Sequence, residues 1–262
     1  MEKYATLRVQ ERPENILLVT LNRPKVANAF NTQAALDLHD VLQGLESEDG
    51  CRCVVLTGAG DKAFCAGGDL KERDSLTEEQ WIAQHEIFER MFRSLRDCPV
   101  PVVAAVNGAA YGGGLELVLL CDFAYASVSA KFALTEVSLG IMPGGGGTQT
   151  LPRIVGESRA KELILAARPF SAEEALAWGV VNKLCAPGNV LEETLEVAGR
   201  IASHAPMSVR QARQSIRHGL QMDLASGMQF EIEAYNRLVR TEDRREGIRA
   251  FNEKRKPIFK GR

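Results

Sequence analysis

The 262-residue chain lacks any marked excess of charge of one sign, and it lacks long apolar runs. Its 32 basic and 34 acidic residues give a formal net charge of −2, which offers no support for nucleic-acid binding. No apolar run approaches the roughly 20 residues that span a bilayer, and the first residues do not form the apolar stretch of a signal peptide. We therefore expect a cytoplasmic protein with neither a nucleic-acid nor a membrane partner.

Motifs for metals and nucleotides are also missing. The pair Cys51 and Cys53 is separated by one residue, not by the two residues of zinc and redox C-x-x-C sites. The four histidines include no H-E-x-x-H pair, and there is no G-x-x-x-x-G-K-[ST] loop and no G-x-G-x-x-G between a strand and a helix. We expect no bound metal, no cofactor, and six reduced thiols that lie mostly in the core.

Strand and helix patterns alternate along the first part of the chain. Residues 16–21, 53–58 and 100–106 are short, apolar and β-rich, whereas helical spacing begins at Asn31 and again covers Trp81 to Leu95. Short apolar strands that alternate with helices predict an α/β architecture with a parallel sheet covered on both faces.

The pattern changes in the second half. Ser171 and Glu174 are typical of a capping box at the start of a helix, and residues 180–184 predict one more short strand. After about Val190 the pattern is helical and rich in charge up to Asn252. We therefore predict a mixed core over residues 1–190 and a helical region over residues 191–262.

Three glycine-bearing segments contain the candidate chemistry. Residues 64–72 follow a strand and contain two adjacent glycines, which suits either a tight turn or a close approach to a ligand. Residues 106–116 join a strand to an apolar helix with Glu116 in its first turn, where a carboxylate complements the helix dipole or serves a reaction. Residues 132–148 place Glu136 among apolar neighbours, either as a functional acid or as a surface acid on an edge strand.

Taken in order, these segments resemble the crotonase (enoyl-CoA hydratase) superfamily. The matching patterns are A-G-G-D-L-K-E, V-N-G-x-A-x-G-G-G-x-E-L and E-x-x-x-G-I-x-P-G-G-G-G-T-Q-x-L-P-R, with N-R-P-K near the start and E-G-x-x-A-F-x-E-K-R-x-P-x-F near the end. The resemblance covers essentially the whole chain. It implies a ClpP-like α/β spiral of β-β-α units with a C-terminal helical trimerisation region, assembled as a homotrimer or as a homohexamer of two stacked trimers.

The resemblance also implies roles for individual residues. Glu116 matches the base that activates water, and Glu136 matches the acid that protonates the α-carbon of the substrate. The backbone N–H groups of Gly68 and Gly113 match the two donors that hold the thioester carbonyl. Residues that match coenzyme A contacts are Lys25, Val26, Ala27, Ala66, Asp69, Leu70, Lys71, Phe251 and Lys254. Several of these would equally serve as ordinary surface lysines or packing residues.

The implied activity is that of an enoyl-CoA hydratase, which adds water reversibly to a trans-2-enoyl-CoA to give a 3-hydroxyacyl-CoA in fatty-acid or branched-chain acid breakdown. Coenzyme A would be part of the substrate, not a cofactor. The residues also leave open a methylglutaconyl-CoA hydratase, a crotonase-type isomerase or thioester hydrolase that relies on Glu136, and a non-catalytic RNA-binding role. The chain departs from the common hydratase pattern at Gly68, where alanine is common, at Ala27, where leucine is frequent, and at residues 133–135. The preferred acyl chain of the substrate therefore stays open. We expect the helix from Trp81 to Phe92 to line the acyl pocket.

Overall fold

The computed structural model describes residues 3–45 and 50–262. Within these ranges it contains ten strands: β1 (Leu7–Arg12), β2 (Ile16–Leu21), β3 (Cys53–Gly58), β4 (Ala63–Cys65), β5 (Val102–Val106), β6 (Ala109–Tyr111), β7 (Phe123–Ser127), β8 (Lys131–Ala133), β9 (Phe170–Ser171) and β10 (Lys183–Cys185). The same ranges contain eleven helices: α1 (Thr32–Gly44), α2 (Leu70–Asp74), α3 (Glu78–Asp97), α4 (Gly113–Leu120), α5 (Gly147–Val155), α6 (Glu157–Leu165), α7 (Ala172–Ala177), α8 (Val190–Ala202), α9 (Pro206–Gly219), α10 (Leu224–Leu238) and α11 (Glu242–Asn252). Short 3₁₀ turns occur at Pro13–Asn15, Pro24–Val26 and Glu136–Leu139.

The strands form two sheets, and the chain passes between them repeatedly. The larger sheet has the order β1-β2-β3-β5-β7-β10 and is parallel except for the β1–β2 pair. The smaller sheet has the order β4-β6-β8-β9, and β4, β6 and β8 are parallel. Each of the pairs β3-β4, β5-β6 and β7-β8 has one strand in each sheet and is followed by helix. The predicted parallel α/β architecture built of β-β-α units is confirmed.

Local signals in the sequence account for most of the element boundaries. Every residue of β3 and β5 is buried, as expected for short apolar strands covered on both faces. The Asn31 side chain accepts from the N–H of Ala34 and caps α1 as predicted. Helix α3 is longer than the predicted residues 81–95, because a capping box formed by Thr77 and Gln80 starts it earlier.

Two predicted strand boundaries are wrong. The strand predicted over residues 100–106 begins only at Val102, after Pro101, which has no backbone N–H to donate. The strand predicted over residues 180–184 is shifted to Lys183–Cys185, since the N–H groups of Val180 and Val181 donate to the carbonyl of Ala175 in the turn that follows α7. The capping box of Ser171 and Glu174, by contrast, is present at the start of α7.

The described residues after Val190 form helices and no strand, as predicted. Helix α8 packs on the larger sheet, where Val190, Ala198 and Ala202 join a buried cluster with Cys53 and Val55. Helices α9 to α11 and the residues beside them instead expose many large apolar side chains: Ile216, Leu220, Leu224, Met228, Ile232, Tyr235, Ile248 and Phe251. The division at residue 190 stays a prediction. No helix in the described ranges is long and apolar enough to cross a bilayer.

Candidate active site

A cavity of about 650 Å³ opens where the loops that follow β4, β6 and β8 meet helix α3 and the glycine-rich loop before α5. Gly68, Gly113, Glu116 and Glu136 all line it. The structure therefore brings together, from three separate segments, the four residues that the sequence motifs single out for chemistry.

Two backbone N–H groups are available at one side of the cavity. Neither Gly68 nor Gly113 donates its N–H to a partner among the described residues. Their loops are closely packed: a β-carbon on Gly67, which has a φ of +94°, would lie 2.9 Å from the carbonyl oxygen of Tyr111 and 3.2 Å from the nitrogen of Gly113. Glycine is therefore required at position 67. Two free donors on adjacent loops are an arrangement that can stabilise an oxyanion.

Glu116 lies in the first turn of α4 and is only 2% exposed. Its Oε1 accepts from the N–H groups of Gly145 and Gly147, each at 2.8 Å. The pKa of Glu116 is raised to about 7: burial is the main cause and the nearby Glu136 carboxylate adds to it, while the two backbone donors act in the opposite direction. A carboxyl group with a pKa near neutral pH is suited to general base catalysis.

Glu136 is partly buried in the 3₁₀ turn that follows β8. Its Oε1 lies beside Gly112, where an added β-carbon would be 3.2 Å from that oxygen. Its Oε2 is buried and has no hydrogen-bond partner in the described part of the chain, and burial raises the pKa of the carboxyl group. Glu136 lies in a turn and not on a strand, it is partly buried and it lines the cavity, so the alternative of a surface acid on an edge strand is wrong.

The far wall of the cavity is apolar and aromatic. Helix α3 contributes Trp81, Ile82, Phe88 and Phe92, as expected from the sequence. The loop 141–145 lines the opposite side, and its Gly145, together with Gly147 at the start of α5, donates to Glu116. The sequence motifs did not indicate this coupling, although the run of four glycines was a signal of close backbone approach.

The sequence analysis missed several charged residues of the cavity, among them Arg73. Arg73 on α2 lines the cavity, and its guanidinium group stacks 4.3 Å from the ring of Trp81 and 4.9 Å from the ring of Phe88. The sequence offered one signal for Arg73, namely its position five residues after Gly68. A side chain on a short helix that begins beside a ligand-binding loop can extend back toward that loop.

The residues expected to contact coenzyme A are more dispersed. Ala66 and Leu70 line the cavity. Lys25, Val26 and Ala27 lie in an adjoining turn, in which the carbonyl of Ala27 accepts from the N–H of Ala66 at 3.0 Å. The other four do not line the cavity of this chain: Asp69, Lys71, Phe251 and Lys254.

Asp69 has a structural function that the motif did not indicate. Its side chain caps α2 and forms an ion pair with Arg23 at 2.9 Å. Lys71 is exposed, Phe251 is 83% exposed, and Lys254 lies just beyond α11. Their contacts with coenzyme A stay predictions. Among the residues that the structure describes, no group of three or more His, Cys, Asp or Glu side chains is placed to hold a metal ion.

Comparisons with known proteins agree with this site. The profile of the enoyl-CoA hydratase/isomerase family matches residues 11–262. The chain is 40% identical over 248 residues to a short-chain-enoyl-CoA hydratase of Clostridium acetobutylicum, covering 95% of each protein. It is 39% identical over 251 residues to a crotonyl-CoA hydratase of Syntrophomonas wolfei, covering 96% of each.

A solved structure supports the same relationship. The crystal structure of an enoyl-CoA hydratase from Bacillus anthracis is 43% identical and superimposes with a TM-score of 0.96, covering 98% of this chain and all of that one. Sequence motifs, fold and site geometry thus agree, and the chain belongs to the enoyl-CoA hydratase/isomerase family of the crotonase superfamily.

Proposed function

We propose that this protein catalyses the reversible addition of water to the trans-2 double bond of enoyl-CoA thioesters. The observation that carries the proposal is the convergence of Glu116 and Glu136 on one cavity with the free N–H groups of Gly68 and Gly113. Relatives named short-chain-enoyl-CoA hydratase and crotonyl-CoA hydratase support crotonyl-CoA as the first substrate to test.

The two free N–H groups bind the thioester carbonyl. When water attacks the β-carbon, negative charge moves to the carbonyl oxygen and an enolate forms. Donors that are already oriented stabilise this charge without reorganisation, and loss of one such donor costs roughly 3 kcal/mol in comparable sites. Gly68 and Gly113 therefore lower the barrier at the atom where charge develops.

The two carboxyl groups handle the protons. Glu116 accepts a proton from water as the water oxygen bonds to the β-carbon, and Glu136 donates a proton to the α-carbon. The step leaves Glu116 protonated and Glu136 ionised, and transfer of one proton from Glu116 to Glu136, directly or through solvent, restores the starting state. The Glu136 carboxylate raises the pKa of Glu116, so the protonation of one acid affects the other.

The test is the loss of the ultraviolet absorbance of the conjugated enoyl thioester with crotonyl-CoA. We expect Glu116→Gln and Glu136→Gln each to lower kcat by about 10²- to 10⁴-fold, the usual contribution of general acid–base groups. Glu196→Gln is the matched control, because Glu196 is exposed on α8, pairs with Arg200 and does not line the cavity. Full activity in either active-site variant would contradict the two-carboxylate mechanism.

The isomerase and thioester hydrolase alternatives depend on Glu136 alone. A Glu116→Gln variant that still moves the double bond of a 3-enoyl-CoA, or still releases free coenzyme A, would favour them over hydration. The same variants assayed on these two substrates therefore separate the three reactions.

We further propose that coenzyme A binds as part of the substrate along Lys25, Val26, Ala27, Ala66, Asp69, Leu70 and Lys71, and that the reaction needs no cofactor. Phe251 and Lys254 would reach the nucleotide of a neighbouring subunit in a homotrimer or a homohexamer. The exposed apolar side chains of α9 to α11 support such an assembly, because patches of this kind are typical of subunit interfaces. A cytoplasmic location and participation in fatty-acid or branched-chain acid breakdown complete the proposal.

A further inference from the structure

Arg73 places a positive charge in a cavity whose remaining wall is mostly apolar. Its guanidinium group lies against the rings of Trp81 and Phe88 on α3, and partial burial lowers the pKa of the group. A half-buried cation is costly unless a carboxylate or a similar group neutralises it. No ion pair to Arg73 exists among the described residues.

The guanidinium group is nevertheless held in one orientation. Its Nε donates to Oε1 of Gln84 at 3.0 Å, and Nε2 of Gln84 donates to Oε2 of Glu72 at 2.8 Å. The same Glu72 oxygen accepts from the backbone N–H of Thr32 at 2.9 Å. This chain of contacts uses Nε only, so within the described structure both terminal nitrogens of Arg73 remain without a hydrogen-bond partner.

The acidic side chains that α2 and α3 place beside the cavity have other partners or lie in solvent. Glu72 is occupied by Gln84 and Thr32. Glu89, which also lines the cavity, accepts from Arg93 at 2.8 Å and lies 3.7 Å from His85. Glu86 is exposed at the rim, where solvent screens its charge. Glu72 attracts the Arg73 charge and offsets part of the cost of its burial, but no carboxylate in the described part of the chain lies within ion-pair distance of the terminal nitrogens.

Arg73 is also close to the proposed carbonyl site. A β-carbon on Gly68 would lie 3.8 Å from Nε and 3.9 Å from Cζ of Arg73. An acyl chain whose carbonyl is held by the N–H of Gly68 would thus pass the guanidinium group within a few carbon atoms. A planar fork of two free nitrogens at that distance suits bidentate binding of a carboxylate.

We propose that Arg73 binds a carboxylate at the far end of a short acyl chain, and that the preferred substrates are enoyl-CoA thioesters of short dicarboxylic acids. The inference rests on the proposed hydration reaction and specifies its substrate class. It requires no change in the roles of Glu116 and Glu136.

The test compares two saturated thioesters of equal chain length that cannot be hydrated: glutaryl-CoA, which ends in a carboxylate, and pentanoyl-CoA, which ends in a methyl group. Calorimetric binding is measured for the wild type, Arg73→Met and Arg73→Lys. Methionine keeps an unbranched side chain between Trp81 and Phe88 and removes the charge. Arg90→Met is the matched control, because Arg90 is exposed and does not line the cavity.

We expect Arg73→Met to weaken glutaryl-CoA binding roughly 10- to 100-fold while pentanoyl-CoA binding changes by no more than about twofold, in line with the strength of hydrogen bonds to charged groups. Arg73→Lys should retain part of the preference and Arg90→Met all of it. Equal weakening of both ligands would show that Arg73 contacts the phosphates of coenzyme A and would overturn the proposal. Equal affinity of the wild type for both ligands would overturn it as well.

Turnover separates this inference from the proposed function. Wild-type kcat/KM for glutaconyl-CoA should exceed that for trans-2-pentenoyl-CoA, and Arg73→Met should abolish the difference. Hydration of both substrates without any preference would leave the proposed function intact and refute the carboxylate site. Preferred binding of glutaryl-CoA without hydration of any enoyl thioester would support the site and refute the hydratase.

Discussion

Gly145 donates its backbone N–H to Oε1 of Glu116 at 2.8 Å, so the loop that closes the cavity also holds the proposed base. This contact orients the carboxylate and lowers its pKa, whereas burial acts in the opposite direction and is the larger effect. The balance of the two effects leads to pH-dependent behaviour in both activity and stability.

The activity should fall on the acidic side of neutral pH. Glu116 must be ionised to accept a proton from water, and its pKa is raised to about 7. We expect kcat/KM for crotonyl-CoA to rise with pH through about 7, since this parameter reports the free enzyme. A profile of kcat/KM from acidic to alkaline pH checks this, and a rate that stays constant well below neutral pH would contradict the role of Glu116.

The titration of Glu116 should also affect the free energy of unfolding, but in the opposite direction: the protein should be more stable at acidic pH, where the activity is low. A carboxyl group with a raised folded-state pKa favours folding in its protonated form, so its contribution is complete below its ordinary pKa of 4.5 and is lost as the pH rises through about 7. Glu116→Gln removes this loss, and its free energy of unfolding relative to the wild type should improve by about 3 kcal/mol between a pH near the ordinary pKa of 4.5 and a mildly alkaline pH.

Urea unfolding of both proteins at the two pH values, at one protein concentration, measures the difference. Glu196→Gln serves as the control, because this exposed side chain should show no such trend. The same pH trend in wild type and Glu116→Gln would mean that the buried carboxyl does not titrate as described.

The two oxyanion glycines should differ in their tolerance of a methyl group. A β-carbon on Gly68 would meet Phe88 and Arg73 at 3.8 Å, an ordinary contact distance, whereas one on Gly113 would lie 2.5 Å from Cζ of Phe30. We expect Gly68→Ala to keep crotonyl-CoA hydration within about threefold and Gly113→Ala to lose about 1–3 kcal/mol of stability together with most of its activity.

Thermal unfolding and initial rates of the two variants test this contrast. Gly44→Ala provides a reference, because a β-carbon there has no described atom within 4 Å outside its own helix backbone and chain neighbours. Equal loss in both active-site variants would indicate that the loops adjust as a unit and that the Phe30 contact does not limit position 113.

The exposed apolar side chains of the C-terminal helices should hold subunits together. Leu220 is 79% exposed at the end of α9, and a charge there would be buried in any interface formed by this surface. We expect Leu220→Asp to reduce the molar mass in sedimentation velocity from that of a trimer or hexamer toward a monomer. Leu165→Asp is the matched control, since Leu165 is 72% exposed on α6. An unchanged assembly would place the interface elsewhere.

The sequence allowed the prediction of elements whose signals are local. The caps at Asn31 and Ser171 and the apolar strands β3 and β5 depend on neighbouring residues alone, and the structure confirms them. The three-residue strands β4, β6 and β8 were not identified, because such segments are too short to show an alternating pattern.

The distinction between local signals and signals that depend on the tertiary structure also applies to the residues of the candidate active site. Glu116 and Glu136 drew notice as carboxylates in apolar segments, which are costly there, but their assignment to the site came from the resemblance to the crotonase superfamily. Arg73 was not, since its significance depends on Trp81 and Phe88, which approach it only in the tertiary structure. The contacts of Phe251 and Lys254 with coenzyme A stay predictions, because these residues lie outside the cavity of the single chain.

The smaller sheet has a consequence for how such enzymes diversify. Its strands β4, β6 and β8 lie side by side, and they are followed, respectively, by Gly68, Gly113 and Glu136. The first unit supplies the backbone N–H of Gly68, the second supplies the N–H of Gly113 together with the Glu116 side chain, and the third supplies the Glu136 side chain. A single codon change in the third unit can therefore replace the proton donor while the anchoring of the thioester is inherited unaltered, so the scaffold can exchange one reaction for another without first losing its ligand.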